Sequence, residues 1–315
     1  MTLKVVFMGT PGFAVGALEA VHKVHQVVGV YTQPDKPVGR GLEVQSSAVK
    51  NKAVELGLPI FQPEKLSQEG EFERLQTLAP DVIVIVAYGQ ILKRNILDLP
   101  RLGCINIHSS LLPRWRGAAP IHWALLGGDE VTGVSTMHLV PKLDAGDVLL
   151  QAKTPVKEDD TLSTLHDRLA SMGAELIIPT LEGLQAGTLM GQVQDESLVT
   201  YAQKLAKEME ALKPSESAFL LDRKVRALNP WPGTSVILAT GERLKIKRAK
   251  LRRDIQGNAG KIFEKAGMAL LGTPDGALEL LSVQWDGKKE VDAAGFLNGL
   301  RGRGQSLPLE LSSST

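Results

Sequence analysis

Cys104-Ile105-Asn106-Ile107-His108-Ser109-Ser110-Leu111-Leu112-Pro113-Arg114-Trp115-Arg116-Gly117-Ala118-Ala119-Pro120 is the stretch whose reading decides the fold. Its first five residues read as a short apolar strand with polar residues at alternate positions. Asn106 and His108 then project to the same face. Ser109 and Ser110 lead into Leu111-Leu112-Pro113, a break that neither a helix nor a central strand tolerates. An amide and an imidazole at a strand end suit a reaction that develops an oxyanion and moves a proton. Asn can donate to the oxyanion, and His can exchange a proton near neutral pH. Asn-x-His alone is better read as a turn cap and a packed ring; the longer string changes that.

The sequence around this stretch supports a parallel sheet. Leu3–Met8 and Val27–Tyr31 read as buried strands, separated by the turn at Gly9-Thr10-Pro11-Gly12 and a helical stretch to Val24. Asp81–Ala87 is the most hydrophobic strand and fits the sheet centre. Apolar strands alternating with helical stretches imply an α/β domain with a Rossmann-like, parallel-rich sheet and helices on both faces. The glycines at 9, 12 and 16 do not keep the dinucleotide spacing, and no acidic residue follows the second strand at the ribose position. A nicotinamide cofactor is therefore not expected. Ligands of such sheets bind beyond the carboxyl ends of the strands, where the loops after Val86 and Ile107 and around Asp144 lie.

Asn106-x-His108-x-Ser110-Leu111-Leu112-Pro113-x-x-Arg116-Gly117-x-x-Pro120 resembles the signature of the 10-formyltetrahydrofolate-dependent formyltransferases. That family's third catalytic residue, an Asp in a Leu-Asp-x-Gly-Asp turn, is matched by Leu143-Asp144-Ala145-Gly146-Asp147. The resemblance implies catalysis by Asn106, His108 and Asp144, with 10-formyltetrahydrofolate as co-substrate and no metal. It places the folate against Val86, Tyr88, Gly89, Gln90, Ile91 and Leu92, and against Ser110, Leu111, Leu112 and Pro113. A flat pterin suits backbone hydrogen bonds and apolar side chains. Asp147 and Gly146 read as structural.

Length and composition bound the rest. The 315 residues suit two domains. The hydrophobic fraction of 43% and the charged fraction of 23% are ordinary globular values. Cys104 is the sole cysteine, so no internal disulfide forms and a reducing cytoplasm is expected. Its place in an apolar strand makes it a small buried hydrophobe. No signal peptide or membrane span is legible. Residues 1–200 hold 17 Lys and Arg against 22 Asp and Glu, a net −5. Residues 201–315 hold 19 against 13, a net +6. A basic second half suggests a polyanionic partner.

The second half narrows the resemblance to members whose acceptor is methionyl-initiator tRNA. Thr200-Tyr201-Ala202-x-Lys204-Leu205 and Asn229-Pro230-Trp231-Pro232 match them. Lys207–Lys213 departs from their usual Ile-Asp-Trp. A catalytic domain over 1–189, a linker over 190–207 and a C-terminal domain over 208–315 are expected. Five short strand-like segments between Thr234 and Val283 suggest a small OB-like barrel. Lys245, Lys247 and Arg248 form part of a cationic strand suited to an RNA surface. The polar loop 32–41 resembles the family's tRNA-entering loop, which makes Lys36 and Arg40 RNA-contacting residues. The chain shows no dimer signal, and a monomer is expected. Formyltransferases acting on amino sugars share both domains and are the main alternative. A catalytically silent nucleotide-binding module is the other, opposed by the joint presence of Asn106, His108 and Asp144.

Overall fold

The computed structural model describes residues 2–38, 43–256 and 258–312. Two compact units make up the chain. Met1–Pro120, Glu130–Val156 and Ser163–Ala202 form the first; Ile121–Asp129, Lys157–Leu162 and Gln203–Thr315 form the second. Residues through Ala202 of the stretch expected as a linker thus belong to the first unit.

The elements open with β1 (Lys4–Gly9), α1 (Val15–Val24) and β2 (Gln26–Tyr31). Short β3 (Lys36–Val38) and β4 (Glu43–Gln45) pair antiparallel, where the sequence reads as an open polar loop. Next come α2 (Ala48–Glu55), β5 (Ile60–Phe61), α3 (Glu71–Leu78), β6 (Val82–Val86) and α4 (Arg94–Leu97). Ser47 caps α2 by accepting from the Lys50 N–H, a bond worth about 1 kcal/mol. The chain continues through β7 (Cys104–His108), β8 (Arg116–Gly117), α5 (Pro120–Gly127), β9 (Val131–His138), β10 (Val148–Pro155), α6 (Leu162–Ala186) and β11 (Tyr201–Ala202).

Among the described residues, seven strands form one sheet in the order β10-β9-β7-β6-β1-β2-β5. From β5 to β7 the pairs are parallel; β9 alone among these strands is reversed, antiparallel to both β7 and β10. The fully buried β6 occupies the middle, as its continuous apolar run requires. Val6, Met8, Ile83, Ile85 and Cys104 share a core with Leu75 of α3 and with Ile96 and Leu97 of α4. On the opposite face α6 lies so close to β7 that a Cβ on Gly173 would stand 2.9 Å from Ile107 Cγ2. Both faces are therefore covered, which is the Rossmann-like arrangement.

The second unit adds α7 (Ala218–Leu228), β12 (Ser235–Ile237), β13 (Arg243–Arg252), β14 (Lys261–Lys265), β15 (Met268–Thr273), β16 (Gly276–Trp285), β17 (Val291–Asp292), α8 (Ala293–Gly302) and β18 (Leu309–Glu310). Its antiparallel order is β12-β13-β16-β15-β14-β18, with β17 on β16. An antiparallel bridge from Leu238 to Leu311 joins the ends of β12 and β18 and closes a small OB-like barrel. Leu244, Ile246, Leu271, Leu278, Leu280 and Val283 fill it, together with Leu221 and Val225 of α7 and Phe296 and Leu300 of α8. Both helices present their apolar residues four apart, on one face. Segments between the first-unit strands also serve this unit: Trp123 Nε1 donates to the Gln203 carbonyl at 2.8 Å, and Arg226 Nη1 to that of Asp160 at 2.9 Å.

Cys104 is buried in the first unit's core, and burial pushes its thiol up to about 12. The native protein should not react with an aromatic disulfide reagent at about pH 8, whereas the unfolded chain should react at once. Rapid native labelling would contradict this placement. The same shift has a sign: its contribution to stability is complete below the ordinary thiol range and fades as pH rises toward the folded value.

Candidate active site

β7 lies between parallel β6 and antiparallel β9, with Asn106 paired to Ile85 and Met137, and His108 to Ser135. Its alternation puts Cys104, Asn106 and His108 on one face. Cys104 is covered by the core. Asn106 and His108, nearer the carboxyl end, are 9% and 6% exposed. The Asn106 carboxamide makes no hydrogen bond among the described residues. The His108 ring is oriented at both nitrogens. Nε2 lies 2.9 Å from the Trp115 carbonyl, which can only accept, so the Nε2 proton is assigned by that partner. Nδ1 faces Asp144 Oδ2 at 3.8 Å. That distance is too long for a hydrogen bond and short enough for a strong charge interaction once the ring is protonated.

Asp144 reaches His108 by a return path. β9 ends beside the start of β7, where the Leu139 N–H donates to the Cys104 carbonyl at 2.7 Å. The connection to β10 then runs back along the Cys104 face until Asp144 meets His108. Asp144 adopts φ +46°, and its Oδ2 accepts from the Gly117 N–H at 2.8 Å. Gly146 is obligatory here, since a Cβ would stand 1.9 Å from the His138 carbonyl oxygen. The Gln194 amide donates to the carbonyls of Asp144 and Gly146 at 2.8 and 2.7 Å. Gln194 falls in the stretch that reads as a linker, and no local spacing in the sequence marks it.

The loop after β7 is held from two sides. Ser135 Oγ donates to the Ser110 carbonyl at 2.7 Å and accepts from the Leu112 N–H at 3.1 Å and from Gln151 Nε2 at 2.9 Å. On the other side β8 pairs in parallel with β11, and the Trp115 and Arg116 N–H groups donate to Thr200 Oγ1 and O, each at 2.9 Å. A sequence reading gives Ser135, Gln151 and Thr200 no role because each acts across the fold.

The loop Val86–Leu92 emerges from the central strand. Tyr88 and Leu92 turn into the core. The Tyr88 carbonyl accepts from Thr10 Oγ1 and Gln33 Nε2 at 3.1 and 3.2 Å. Gln90 is spent on Leu66 N and the Pro63 carbonyl. Ile91 points outward at 92% exposure, and the Ala87 methyl is exposed as well. Within this loop, Ala87, the backbone at Gly89, which has φ +85°, and the Ile91 side chain are what remain to meet a ligand.

The expected RNA contacts lie elsewhere. Lys36 is exposed on β3, and Arg40 lies outside the described residues. In the second unit Lys247 and Arg248 line a groove of about 710 Å³ with Phe219, Arg226, Lys250 and Arg253. β13 shifts register between Ile246 and Arg248. Such a bulge re-aims side chains, and here both successive cations line the groove. Lys245 is instead paired with Asp286 at 2.9 Å.

The family model described as Formyl transferase matches residues 3–181, and the one described as Formyl transferase, C-terminal domain matches residues 204–301. A methionyl-tRNA formyltransferase of Methylococcus capsulatus is 47% identical over 298 residues, covering 94% of this chain and 96% of that one. Among solved structures, HypX from Aquifex aeolicus in complex with tetrahydrofolic acid is similar at a TM-score of 0.66 and 16% identity, over 97% of this chain and 48% of that longer one. An N-formyltransferase from Helicobacter canadensis, with folinic acid and dTDP-3-aminofucose, is similar at a TM-score of 0.65 and 16% identity, over 92% of this chain and 100% of that one. At 16% identity these two structures speak for the fold alone.

The close approach of Gly146 to the His138 carbonyl gives a direct test. Gly146→Ala should cost about 1–3 kcal/mol through overpacking, read as a lower midpoint in urea unfolding. An unchanged midpoint would show that the turn has room to spare.

Proposed function

The chain belongs to the formyl transferase family, and from that membership we propose how its residues divide the reaction. The reaction is transfer of a formyl group from 10-formyltetrahydrofolate to the α-amine of methionyl-initiator tRNA, giving N-formylmethionyl-tRNA for translation initiation. The observation that carries the site assignment is the uncommitted carboxamide of Asn106, held at a strand end beside the His108–Asp144 pair. A donor with no partner among the described residues is what a transient oxyanion needs.

The amine attacks the formyl carbon and gives a tetrahedral intermediate with charge on oxygen. Asn106 donates to that oxygen. The amine nitrogen must lose a proton, and folate N10 must gain one as its bond to the formyl carbon breaks. His108 carries that proton, directly or through water. With Nε2–H held by the Trp115 carbonyl, the ring gains its second proton on Nδ1, facing Asp144. The carboxylate stabilises the imidazolium at that moment. The folate is held by the loop Val86–Leu92 and by Ser110–Pro113. Lys247 and Arg248 of the barrel meet phosphates, joined by Lys36 and Arg40, with Lys245 held back by Asp286. The enzyme works as a monomer in the cytoplasm. Among the described residues no helix is long and apolar enough to cross a membrane.

The deciding experiment supplies 10-formyltetrahydrofolate with either methionyl-initiator tRNA or an amino-sugar nucleotide. Formylation of the tRNA is expected; formylation of the sugar instead would overturn the acceptor assignment. The 47% identity to a methionyl-tRNA formyltransferase, against 16% to the N-formyltransferase bound to an amino sugar, favours the tRNA.

Asn106→Ala should lower kcat about a hundred- to a thousandfold, ~3–4 kcal/mol of lost oxyanion stabilisation, with folate binding by fluorescence titration little changed. Asp144→Asn keeps the size and removes the charge. Wild-type turnover across neutral pH in that variant would remove Asp144 from the mechanism. Replacing Lys247 and Arg248 together by Ala should raise KM for tRNA and make binding less sensitive to salt. The log–log slope should fall by about one for each phosphate that these cations neutralise. An unchanged dependence on tRNA and salt would take this groove out of the interface.

A further inference from the structure

The Asp144 turn has one local hydrogen bond, from the Ala145 N–H to the Lys142 carbonyl at 3.3 Å, and is otherwise held from outside its own sequence. Asp144 sits in the left-handed region, which among residues with a Cβ mainly Asn and Asp adopt, and then usually with support from neighbouring groups. Its carbonyl and that of Gly146 both accept from one amide nitrogen, Gln194 Nε2. A carboxamide can be turned end for end, which would set oxygen against these two carbonyls. Arg116 prevents this. Its Nε donates to Gln194 Oε1 at 3.0 Å, and a guanidinium has only donors to offer. Arg116 thereby decides which end of the amide meets the turn.

Arg116 reaches the turn by two further routes. Its Nη2 donates to Glu196 Oε1 at 2.9 Å, and Glu196 Oε2 accepts from Lys142 Nζ at 2.7 Å, two residues before Asp144. Its own peptide leads into Gly117, whose N–H holds the Asp144 carboxylate. The side chain is fully buried, and its Nη1 has no acceptor among the described residues. A buried guanidinium with an unspent donor and a half-exposed carboxylate partner is a poor device for stability. What the arrangement delivers is position.

We propose that Gln194, locked by Arg116, is a positioning residue of the active site, holding the Asp144 turn so that its carboxylate faces Nδ1 of His108. The proposal rests on the assignment of Asp144 and His108 to the reaction above. Neither Gln194 nor Arg116 touches the reacting atoms. Residues 194–202 then serve as a strap over the catalytic loop: Gln194 and Glu196 hold the turn, and Thr200 with β11 holds Trp115–Ala118.

The test is a double-mutant cycle. Gln194→Met keeps the length and removes both donors. Gln194→Glu keeps a partner for Arg116 and sets a carboxylate against the two carbonyls. Each is made alone and in the Asp144→Asn background. Turnover is measured with 10-formyltetrahydrofolate and methionyl-initiator tRNA, and the imidazole 15N shifts of His108 are recorded in the unliganded protein. We expect kcat to fall about tenfold or more in the parent background, with both KM values within about threefold. In the Asp144→Asn background the fall should be less than half as large on a logarithmic scale, because the two changes share one path. The His108 Nδ1 shift in Gln194→Met should move toward its position in Asp144→Asn. A smaller fall in the parent, an equal fall in both backgrounds, or an unmoved His108 shift would each overturn the proposal. Should Gln194→Met fail to fold, Gln194→Glu carries the same cycle. A parent protein that leaves the tRNA unformylated refutes the functional reading instead, and the His108 shifts then still decide the positioning.

Discussion

β9 runs antiparallel to β7, and this reversal dictates how a carboxylate can reach His108. In an all-parallel sheet the loop after the next strand would open at the carboxyl end, beside the imidazole. Here β9 delivers the chain to the opposite end, at Cys104, so the connection must climb back along the face that carries Asn106 and His108. That path has little room. It accounts for Gly146 against the His138 carbonyl and for the strained backbone of Asp144. A hairpin of ordinary length would have left His108 without a carboxylate.

The groups at the site are divided between committed and uncommitted ones. The His108 ring, the Asp144 carboxylate, the Gln90 amide and the Gln151 amide all have partners among the described residues. The Asn106 amide has none. In the mechanism proposed above, such preorganisation would meet developing charge without a prior rearrangement of the protein's own dipoles. Ser135 contributes by binding the two ends of the Ser110–Leu112 segment with one hydroxyl.

Much of this is legible in the sequence because it is local. The apolar run of β6, the two-residue spacing of Asn106 and His108, a serine cap at residue 46 or 47 (Ser47 in the fold) and the five barrel strands are patterns within a few residues. Gln194, Arg116 and Thr200 act on residues far along the chain or across a ladder, and their neighbours in sequence say nothing of it. The stretch 190–202 is polar and short of regular structure, which is how a linker reads; its hydrogen bonds are what make it part of the first unit. α8 escapes a sequence reading because Gly295, Gly299 and Gly302 dilute its pattern, while its Asp292 cap and the pair Phe296 and Leu300 suffice in the folded state. Lys245 shares its strand and charge with Lys247, and only the structure reveals that Asp286 has claimed it.

The bridge between Leu238 and Leu311 bears on how the barrel is made during synthesis. β12 and β14 can pair with β13 and β15 as soon as those strands leave the ribosome. The outer edge of β14 stays open until residues 309–310 emerge, and that of β12, bridged at Ser235 by Ala211 and Leu212, is completed only by residues 310–312. Through that interval the nascent chain carries one fully unpaired edge, on β14, the feature that invites strand exchange with a neighbouring copy on the same message. Lys261 and Glu310, which form an ion pair across the closing ladder, place opposite charges on its two halves. An edge so marked would repel its own copy and favour the strand it awaits.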